Sequence, residues 1–455
     1  MVGSGVAGLA TAYRLLQADP SLHVTVLEAS GTTGGKLVAR TVGDLLLEAG
    51  PDSFVARKPW AADLCRELGL ELVEPGASGA LVWTDRGLVA LPETALGIPA
   101  DVDGLVRWPA ISRRGRLRAL ADLVKQPAPR EEDESIGSLV RRRLGDEVTD
   151  VLVQPLLGGL FAGDVDRLGV GPTFPELATW ERAFGSLIRG AKAALKAGRS
   201  AGPMFQKPAG GVPALPGALV ERIGRERIST GAGASGISRE GPGFVVTERS
   251  AEHSANAVVL ATPAHWSAAL LEDVAPVAAA SLAGIRHAST AVVLLVYPGG
   301  TNASLPEATG FVVPSERAPM TAATFLSRKW PSTAFGDRAV IRCFVGGAGA
   351  EDVLEATDAD IVGAVCRHLA AVLELPDRPE ASAVVRWPRA MPQYEVGHLE
   401  RIDDIEGSLP PGIFVVGNAF RGVGVADTVR AANLVAERVR GYLAGEVEPS
   451  EESVR

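Results

Sequence analysis

The stretch GSGVAGLATAY, from Gly3 to Tyr13, decides the fold of this chain. It places three glycines in the G-x-G-x-x-G spacing that opens the helix of a dinucleotide-binding βαβ unit. In that spacing the bare backbone lets a pyrophosphate approach the positive end of the helix dipole, so no cationic side chain is needed. The predicted contacts are the residues of this turn: Gly3, Ser4, Gly5, Val6, Ala7 and Gly8.

A carboxylate follows the glycine turn at the distance expected for ribose binding. Glu28 stands 20 positions after Gly8, at the end of the apolar run from His23 to Leu27. This offset predicts hydrogen bonds from a ribose diol to Glu28, although a surface carboxylate that ends a strand would give the same pattern. Since only two residues precede Gly3, we expect the strand that leads into the turn to start upstream of Met1.

A second glycine-rich pattern, GIFVVGNAFRGVGVADTVRAA, lies near the other end of the chain, at 412–432. It predicts a buried strand at 413–416 and a helix from about Thr428 to Tyr442. Backbone N–H groups at such a helix start bind phosphates or carbonyl oxygens. The two patterns are therefore predicted to form halves of one nucleotide site, with contacts from Gly417, Asn418, Gly424, Val425 and Ala426.

Composition narrows the class of protein. A chain of 455 residues is expected to divide into two or three domains. The net charge of −9 and the pI near 5.4 argue against a nucleic-acid partner, which would need a basic surface. Three cysteines and six scattered histidines give neither a disulfide framework nor a metal motif, so we expect no metal and a reducing cytoplasm. No apolar run is long enough to predict a membrane span.

Periodic apolar positions predict helices at 115–125, 135–144 and 184–197, with few strand candidates between them. Ser135 is the expected N-cap of the second helix. The preceding stretch, QPAPREEDE at 126–134, combines two prolines with four acids and is expected to be an exposed linker. Further strands are expected at 243–247, 257–261, 288–297, 310–314 and 339–346, and an amphipathic helix at 358–373.

Together with EAGP at 48–51 and VVLATPA at 258–264, the two terminal patterns resemble the superfamily of FAD-dependent amine oxidases and protoporphyrinogen oxidases. The likeness covers nearly the whole chain. Four further stretches resemble the bacterial porphyrinogen oxidases in particular: GPDSF at 50–54, QPLLGGLFAGDVDRL at 154–168, FQKPAGGVPALPGAL at 205–219 and RWPRAMPQYEVGH at 386–398.

The resemblance implies an α/β fold with a discontinuous Rossmann-like FAD-binding domain, a mixed-sheet substrate domain and an inserted helical lobe. We place the FAD-binding domain at 1–75, 205–264 and 385–445, and the substrate domain at 76–111 and 265–384. The helical insert is placed at 112–204, and a disordered tail at 446–455.

The resemblance further implies a function in haem biosynthesis, in which a porphyrinogen is oxidised by non-covalent FAD. Three two-electron steps, with dioxygen as acceptor and release of hydrogen peroxide, are expected, and no acid–base catalytic residue. The GPDSF form is similar to the group that acts on coproporphyrinogen III. The open alternatives are a protoporphyrinogen IX oxidase, a flavin amine oxidase or carotenoid desaturase, and a non-catalytic flavin or porphyrin carrier.

Several site residues are carried over from the family. The further FAD contacts are Ala29, Gly35, Lys36, Gly50, Pro51, Asp52, Ser53, Ala234 and Trp387. Related animal and plant enzymes tend to have an arginine at the place of Asp52, so Arg57 and Lys58 are the expected carboxylate contacts instead. Leu157 and Phe161 are expected to line the substrate cleft, with core packing as an equal alternative.

A basic cluster suggests an additional partner. It is interpreted either as a docking site for anionic lipid or another haem-pathway enzyme, or as a solvated helix face. The protein is accordingly expected in the cytoplasm, or peripherally at the inner face of the membrane. The cluster comprises Arg107, Arg113, Arg114, Arg116, Arg118 and Lys125.

Overall fold

The computed structural model describes residues 1–128, 133–198, 203–314 and 320–445. The predicted disordered tail at 446–455 lies outside these residues, as does the middle of the predicted linker.

A parallel sheet that draws on both ends of the chain forms one half of the fold. Val2, which alone represents the first strand, pairs with Leu27 on one side and Leu260 on the other. Its backbone N–H donates to the Val259 carbonyl (2.9 Å), and the Gly3 N–H donates to the Leu27 carbonyl (2.8 Å). The strand order is β11 (Ile228–Thr230), β1 (Val26–Glu28), Val2, β15 (Val258–Leu260) and β21 (Ile413–Val415).

Both faces of this sheet are covered, as expected for parallel strands. Val26, Val259 and Phe414 point to a layer of helices, whereas Leu27 and Leu260 point to the opposite layer. The first layer contains α1 (Val6–Ala18), α2 (Pro59–Glu67), α11 (Ala214–Ile223) and α17 (Val425–Leu443). The second contains the antiparallel strands β12 (Ala234–Glu240), β13 (Gly243–Glu248) and β14 (Glu252–Ala255), with α12 (Ala264–Leu271), α13 (Pro276–Ala283) and α16 (His398–Ser408).

A seven-stranded mixed sheet forms the second half. The strand order is β20 (Ala381–Pro392), β16 (His287–Val296), β19 (Val340–Gly346), β18 (Met320–Phe325), β17 (Gly310–Val312), β6 (Leu81–Thr84) and β7 (Gly87–Ala90). Neighbouring strands are antiparallel, except that β17 and β6 are parallel. One face packs on α15 (Asp358–Ala370), and the other on α14 (Leu326–Lys329) and the hairpin β2 (Ala39–Val42) with β3 (Leu45–Glu48).

A lobe of short helices has a core of its own. Its helices are α3 (Val102–Arg107), α4 (Arg113–Leu120), α5 (Ile136–Leu144), α6 (Asp146–Val148), a π-helix (Thr149–Gly158), α7 (Gly159–Phe161), α8 (Val170–Thr173), α9 (Pro175–Phe184) and α10 (Leu187–Gly198). A fully buried ion pair, Arg143 with Asp122 (2.6 Å), joins α5 to the turn after α4. The remaining short strands are β4 (Phe54–Val55), β5 (Leu72–Val73), β8 (Thr94–Ala95), β9 (Ile98–Pro99) and β10 (Phe205–Pro208).

The α/β fold predicted from the sequence is confirmed, and so is the Ser135 cap, whose hydroxyl accepts from the Ser138 N–H. The helix predicted at 184–197 is present as α10, but it starts only at Leu187, because Gly185 adopts φ +66° and ends α9 just before it. The expected exposed linker is also wrong at its end, because Glu134 is buried and pairs with Arg142 (2.6 Å). The exact domain boundaries stay a prediction.

Candidate cofactor site

The three glycines of the first turn play three different steric roles. Gly3 has φ +102°, and a Cβ added there would lie 2.8 Å from the Ala261 carbonyl oxygen. A Cβ at Gly8 would lie 2.1 Å from the Gly3 carbonyl oxygen, so the helix packs tightly on the turn only with glycine. Gly5, in contrast, faces open space, with no atom within 4 Å of an added Cβ. Gly5 is therefore the position where a ligand can approach the backbone.

Two helices begin at this end of the sheet without a side-chain cap. Gly5 is the N-cap of α1, and Gly424 is the N-cap of α17. The first N–H groups of both helices therefore remain available to an anion. Gly417, which follows β21, has φ +143° and also faces open space. The two sequence patterns thus contribute to one side of the same sheet.

Glu28 holds the glycine turn in place from the end of β1. One of its carboxylate oxygens accepts from the Ser4 N–H (2.8 Å) and hydroxyl (2.7 Å), and the other accepts from the Ser30 N–H and hydroxyl (both 2.8 Å). Burial raises the pKa of Glu28, but these hydrogen bonds outweigh it and keep the pKa below its ordinary value. Glu28 is therefore an ionised acceptor beside the turn.

Next to Glu28, the chain after β1 brings Ala29 beside Gly233, the residue that precedes Ala234. The Ala232 N–H donates to the Glu28 carbonyl (2.8 Å), and a Cβ added at Gly233 would touch Ala29 (3.1 Å). Ala234 begins β12 directly afterwards.

Lys36 connects the glycine turn to the C-terminal loop. Gly35 packs against Gly5, with 3.0 Å between an added Cβ and the Gly5 Cα. The Lys36 ammonium then donates to the Asn418 side-chain oxygen (3.3 Å). Lys36 has no carboxylate partner among the described residues, and burial lowers its pKa to about 8. An unpaired, half-buried cation at this place fits an anionic or carbonyl-rich ligand.

The segment Gly50–Ser53 lies directly beyond Lys36. A Cβ at Gly50 would lie 1.9 Å from the Lys36 carbonyl oxygen, so only glycine permits this approach. The Trp387 indole donates to the Ala49 carbonyl (2.9 Å) and thereby reaches the same segment from β20.

Asp52 is a buried anion that joins the two halves of the fold. Its carboxylate accepts from the Lys329 ammonium (3.0 Å) and the Trp330 indole (3.0 Å), and it pairs with the Arg342 guanidinium (3.3 Å). Burial raises its pKa, but the two cations outweigh this and hold the pKa far below its ordinary range. Because both oxygens are engaged within the protein, we expect this segment to contact a ligand through its backbone.

The four family-like stretches meet in pairs. Glu48, which precedes Gly50, pairs with Lys207 (2.7 Å), and Phe54 pairs with Gln206 between β4 and β10. The stretch 154–168 likewise meets 386–398: the Gln393 amide donates to the Phe161 carbonyl (2.9 Å), and Leu168 forms a β-bridge with Glu395. These stretches are therefore contact surfaces between parts of the fold.

The four predicted substrate residues have different environments. Lys58 pairs with Asp427 (2.8 Å), and Arg57 is exposed with its guanidinium against Gly198. Leu157 and Phe161 are only 3% and 4% exposed and belong to the core of the helical lobe. For these two side chains the geometry favours the packing alternative.

Half of the basic cluster has a structural role. The Arg116, Arg118 and Lys125 side chains donate to backbone carbonyls, several of them at the end of α5. Arg107, Arg113 and Arg114 have no side-chain partner among the described residues. Only these three remain free for a surface contact.

Sequence reasoning missed Tyr394, His398 and Arg389. Tyr394 and His398 are buried beside the C-terminal loop, and Arg389 has φ +46° on a bulge of β20 two residues after Trp387. The motif QYEVGH was visible, but only as a family likeness. In the described part of the chain, no cluster of three metal-ligating side chains occurs, and no helix has the length and hydropathy of a membrane span.

Comparisons with known proteins agree with this geometry. A family model described as "Flavin containing amine oxidoreductase" matches residues 6–440. The coproporphyrinogen III oxidase of Bacillus subtilis (strain 168) is 31% identical over 97% of this chain and 98% of its own length. The coproporphyrinogen III oxidase of Staphylococcus aureus (strain NCTC 8325 / PS 47) is 31% identical over 96% of this chain and 98% of its own length. A solved structure from Exiguobacterium sp. 255-15, described as a "Putative protoporphyrinogen oxidase", has a TM-score of 0.87 at 30% identity, and the match covers 97% of this chain and 98% of that one. The resemblance seen in the sequence is thereby confirmed.

Proposed function

Because the chain belongs to the flavin-containing amine oxidoreductase family, we propose that one FAD molecule lies across the ends of the parallel sheet, with its pyrophosphate at the turn Gly3–Gly8. The open space at Gly5 and the uncapped start of α1 support this placement. The second uncapped helix, α17, begins at Gly424 and offers N–H donors from the other end of the chain. The residues present therefore fit a dinucleotide.

The two ends of the cofactor are proposed to lie on opposite sides of this turn. At the adenosine end, Glu28 would accept from the ribose hydroxyls, beside Ala29 and Ala234. At the ring end, the cofactor would lie near Lys36, Asn418 and Trp387, because these side chains follow one another outward from Gly5. The backbone of Gly50–Ser53 completes this end, together with the start of α17.

We propose that the cofactor is bound non-covalently. Cys65, Cys343 and Cys366 are all free and buried, and burial raises the pKa of each thiol. A buried, protonated thiol is a poor nucleophile, so none of the three is suited to attack a flavin. Three free, buried cysteines also support a cytoplasmic location.

The proposed reaction is the oxidation of coproporphyrinogen III to coproporphyrin III. It is carried by one observation, the similarity to coproporphyrinogen III oxidases over essentially their whole length. When bound, FAD would supply the two-electron oxidation chemistry, and three such steps with dioxygen as acceptor would release three hydrogen peroxide molecules and convert the reduced macrocycle to the aromatic porphyrin. The protein contributes orientation and the exclusion of water.

The substrate carries four carboxylates, and we propose cationic side chains near Trp387 as contacts. Arg389 is exposed and, among the described residues, its guanidinium has no hydrogen bond or ion pair. Arg57 remains a second proposed contact from the other direction. Arginine forks hold carboxylates in a bidentate manner, which makes them suited to this role.

Protoporphyrinogen IX, with two carboxylates, is the second candidate substrate. It is supported by the similarity to the Exiguobacterium structure, which is described as a "Putative protoporphyrinogen oxidase".

A peripheral contact is proposed for the helical lobe. Leu117 and Val124 are 71% and 85% exposed, and Leu117 lies one helical turn after the unpaired Arg113 and Arg114 on α4. Apolar side chains next to cations suit an anionic lipid surface or a neighbouring enzyme of haem synthesis.

The function is tested by monitoring porphyrin fluorescence and peroxide release with coproporphyrinogen III and protoporphyrinogen IX side by side. We expect a higher kcat/KM for the tetracarboxylate, and one peroxide for each two electrons removed. The tetramethyl ester of coproporphyrinogen III is the matched control, since it has the same ring without charge. Equal or better turnover of protoporphyrinogen IX would contradict the substrate assignment, and absence of turnover of both would contradict the enzyme assignment.

A further inference from the structure

The loop between β21 and α17 is held by two aromatic side chains from outside it. The Tyr394 hydroxyl donates to the Asn418 carbonyl (2.9 Å) and accepts from the Gly422 N–H (2.9 Å). Tyr394 is completely buried, so water does not compete for these bonds. One hydroxyl therefore fixes two points of the loop, four residues apart.

His398 fixes a third point between them. Its ring stacks on the Tyr394 ring, with centroids 4.0 Å apart and planes 17° apart. Its Nε2 lies 2.9 Å from the Phe420 carbonyl oxygen. Burial lowers the pKa of His398 to about 4, so the ring is neutral at pH 7, and the contact with a carbonyl assigns the proton to Nε2.

The loop needs such support because its own backbone provides little. Gly417 and Gly422 have φ of +143° and +137°, values that glycine adopts but does not enforce. Within the loop, the hydrogen bond from the Phe420 N–H to the Gly417 carbonyl is long, at 3.4 Å. Ala419 and Phe420 are buried, and Arg421 pairs with Asp403 (2.6 Å), so side chains also anchor the loop. Tyr394 and His398 add the hydrogen bonds that fix its backbone.

The supported loop is the one that carries Asn418, whose side chain accepts from Lys36. On its other side, Tyr394 touches the helical lobe: its carbonyl accepts from the Gly169 N–H (2.8 Å), and its ring lies 5.5 Å from the Phe161 ring. The same residue therefore contacts the lobe and the loop at once.

We propose that Tyr394 and His398 are positioning residues that hold the loop 418–422 in the conformation that receives the flavin ring. This rests on the flavin site proposed above. Neither side chain is required to touch the flavin, because each acts through the loop backbone. The stack thus sets where Asn418 and the start of α17 stand relative to the bound cofactor.

The test uses Tyr394→Phe and His398→Phe, which keep the stacked rings and remove only the hydroxyl or the N–H. Tyr297→Phe is the matched control, because Tyr297 is equally buried but lies in the other sheet, with its hydroxyl on the Cys366 sulfur (3.7 Å). FAD dissociation constants, the flavin absorbance spectrum and the flavin midpoint potential are measured for each full-length chain.

Tyr394→Phe removes two buried hydrogen bonds and His398→Phe removes one, so each variant is expected to raise the FAD dissociation constant by about tenfold or more, the loss that corresponds to one buried hydrogen bond. The flavin spectrum and midpoint potential are expected to shift, and kcat to fall more than KM rises. The melting temperature of the FAD-free chain is expected to change no more than in the Tyr297→Phe variant.

Unchanged FAD affinity, spectrum and potential in Tyr394→Phe would overturn the proposal, as would a loss of stability without any flavin effect. If His398→Phe does not fold, His398→Gln, which restores an N–H donor, is expected to return wild-type flavin properties; failure to do so also contradicts it. A wild-type chain that binds no FAD would instead refute the proposed function.

Discussion

Replacement of Asp52 by asparagine is expected to destabilise the folded chain strongly. The substitution keeps the volume but removes the charge that neutralises Lys329 and Arg342, which approach it at 3.0 and 3.3 Å. Two like charges would then face each other, with 11% and 5% of their side chains exposed. Breaking a buried pair by removal of one partner costs about 3–5 kcal/mol.

This cost is a large fraction of the roughly 5–15 kcal/mol by which folded domains are stable. Its pH dependence has a definite sign. The pKa of Asp52 is depressed in the folded chain, so its contribution is fully present at neutral pH and is lost as the pH falls below the ordinary value of about 4. The Asp52→Asn variant is expected to lack this component of acid denaturation.

The assay is urea denaturation followed by tryptophan fluorescence and circular dichroism, at several pH values between neutral and acidic. Asp44→Asn is the matched control, because Asp44 also pairs with an arginine distant in sequence, Arg338 at 2.7 Å, but is exposed. Little change is expected there, since exposed pairs contribute little. If the free energy of unfolding of Asp52→Asn lies within about 1 kcal/mol of the wild-type value, the expected cost of unpairing the two buried cations is wrong. The double variant Asp52→Asn/Lys329→Met, which removes one unpaired cation, is expected to recover part of the loss.

Two further predictions concern backbone conformation. Gly5→Ala is expected to leave the stability of the FAD-free chain unchanged but to weaken FAD binding at least tenfold. Gly8→Ala is expected to lower both the stability and the FAD affinity, because its methyl group would overlap the Gly3 carbonyl. Equal melting temperatures of the two FAD-free variants would contradict this difference in stability. Arg389→Gly is expected to raise the free energy of unfolding by about 0.5–1 kcal/mol, since φ +46° strains arginine but not glycine; lower stability of the variant in urea would contradict this strain. The same variant is expected to raise KM for coproporphyrinogen III, and a wild-type KM would contradict the proposed contact of Arg389 with the substrate.

Local signals explain which parts of the fold were predictable. The turn at Gly3–Gly8 and the strands β16 and β19 were visible because spacing and apolar runs are properties of short windows. The 12-residue strand β20 was missed, since it is only partly buried and contains Pro388 and a bulge, which interrupt the alternation of polar and apolar residues. Likewise, the helical period of 184–197 predicts α10 but not its start, because only the conformation of Gly185 separates Phe184 from it.

The candidate site was predictable to the extent that it is built from backbone. The partners of Asp52 were not, because Lys329 lies 277 residues away and no local pattern marks such a pair. The stack of Tyr394 on His398 has a spacing of four residues, which on its own resembles an ordinary helix contact. Their role depends on a loop that follows later in the chain.

The parallel sheet has a consequence for how this protein is made. Val2 lies between strands formed by residues 258–260 and 26–28. The Arg14 side chain of α1 donates a hydrogen bond to Asn433 of α17, which is 419 positions later in the chain. At about 5–20 residues per second, a ribosome needs roughly 20–80 s to travel that distance. The amino-terminal turn therefore spends most of this time without its final neighbours, and the site proposed for the dinucleotide is complete only once α17 has been made.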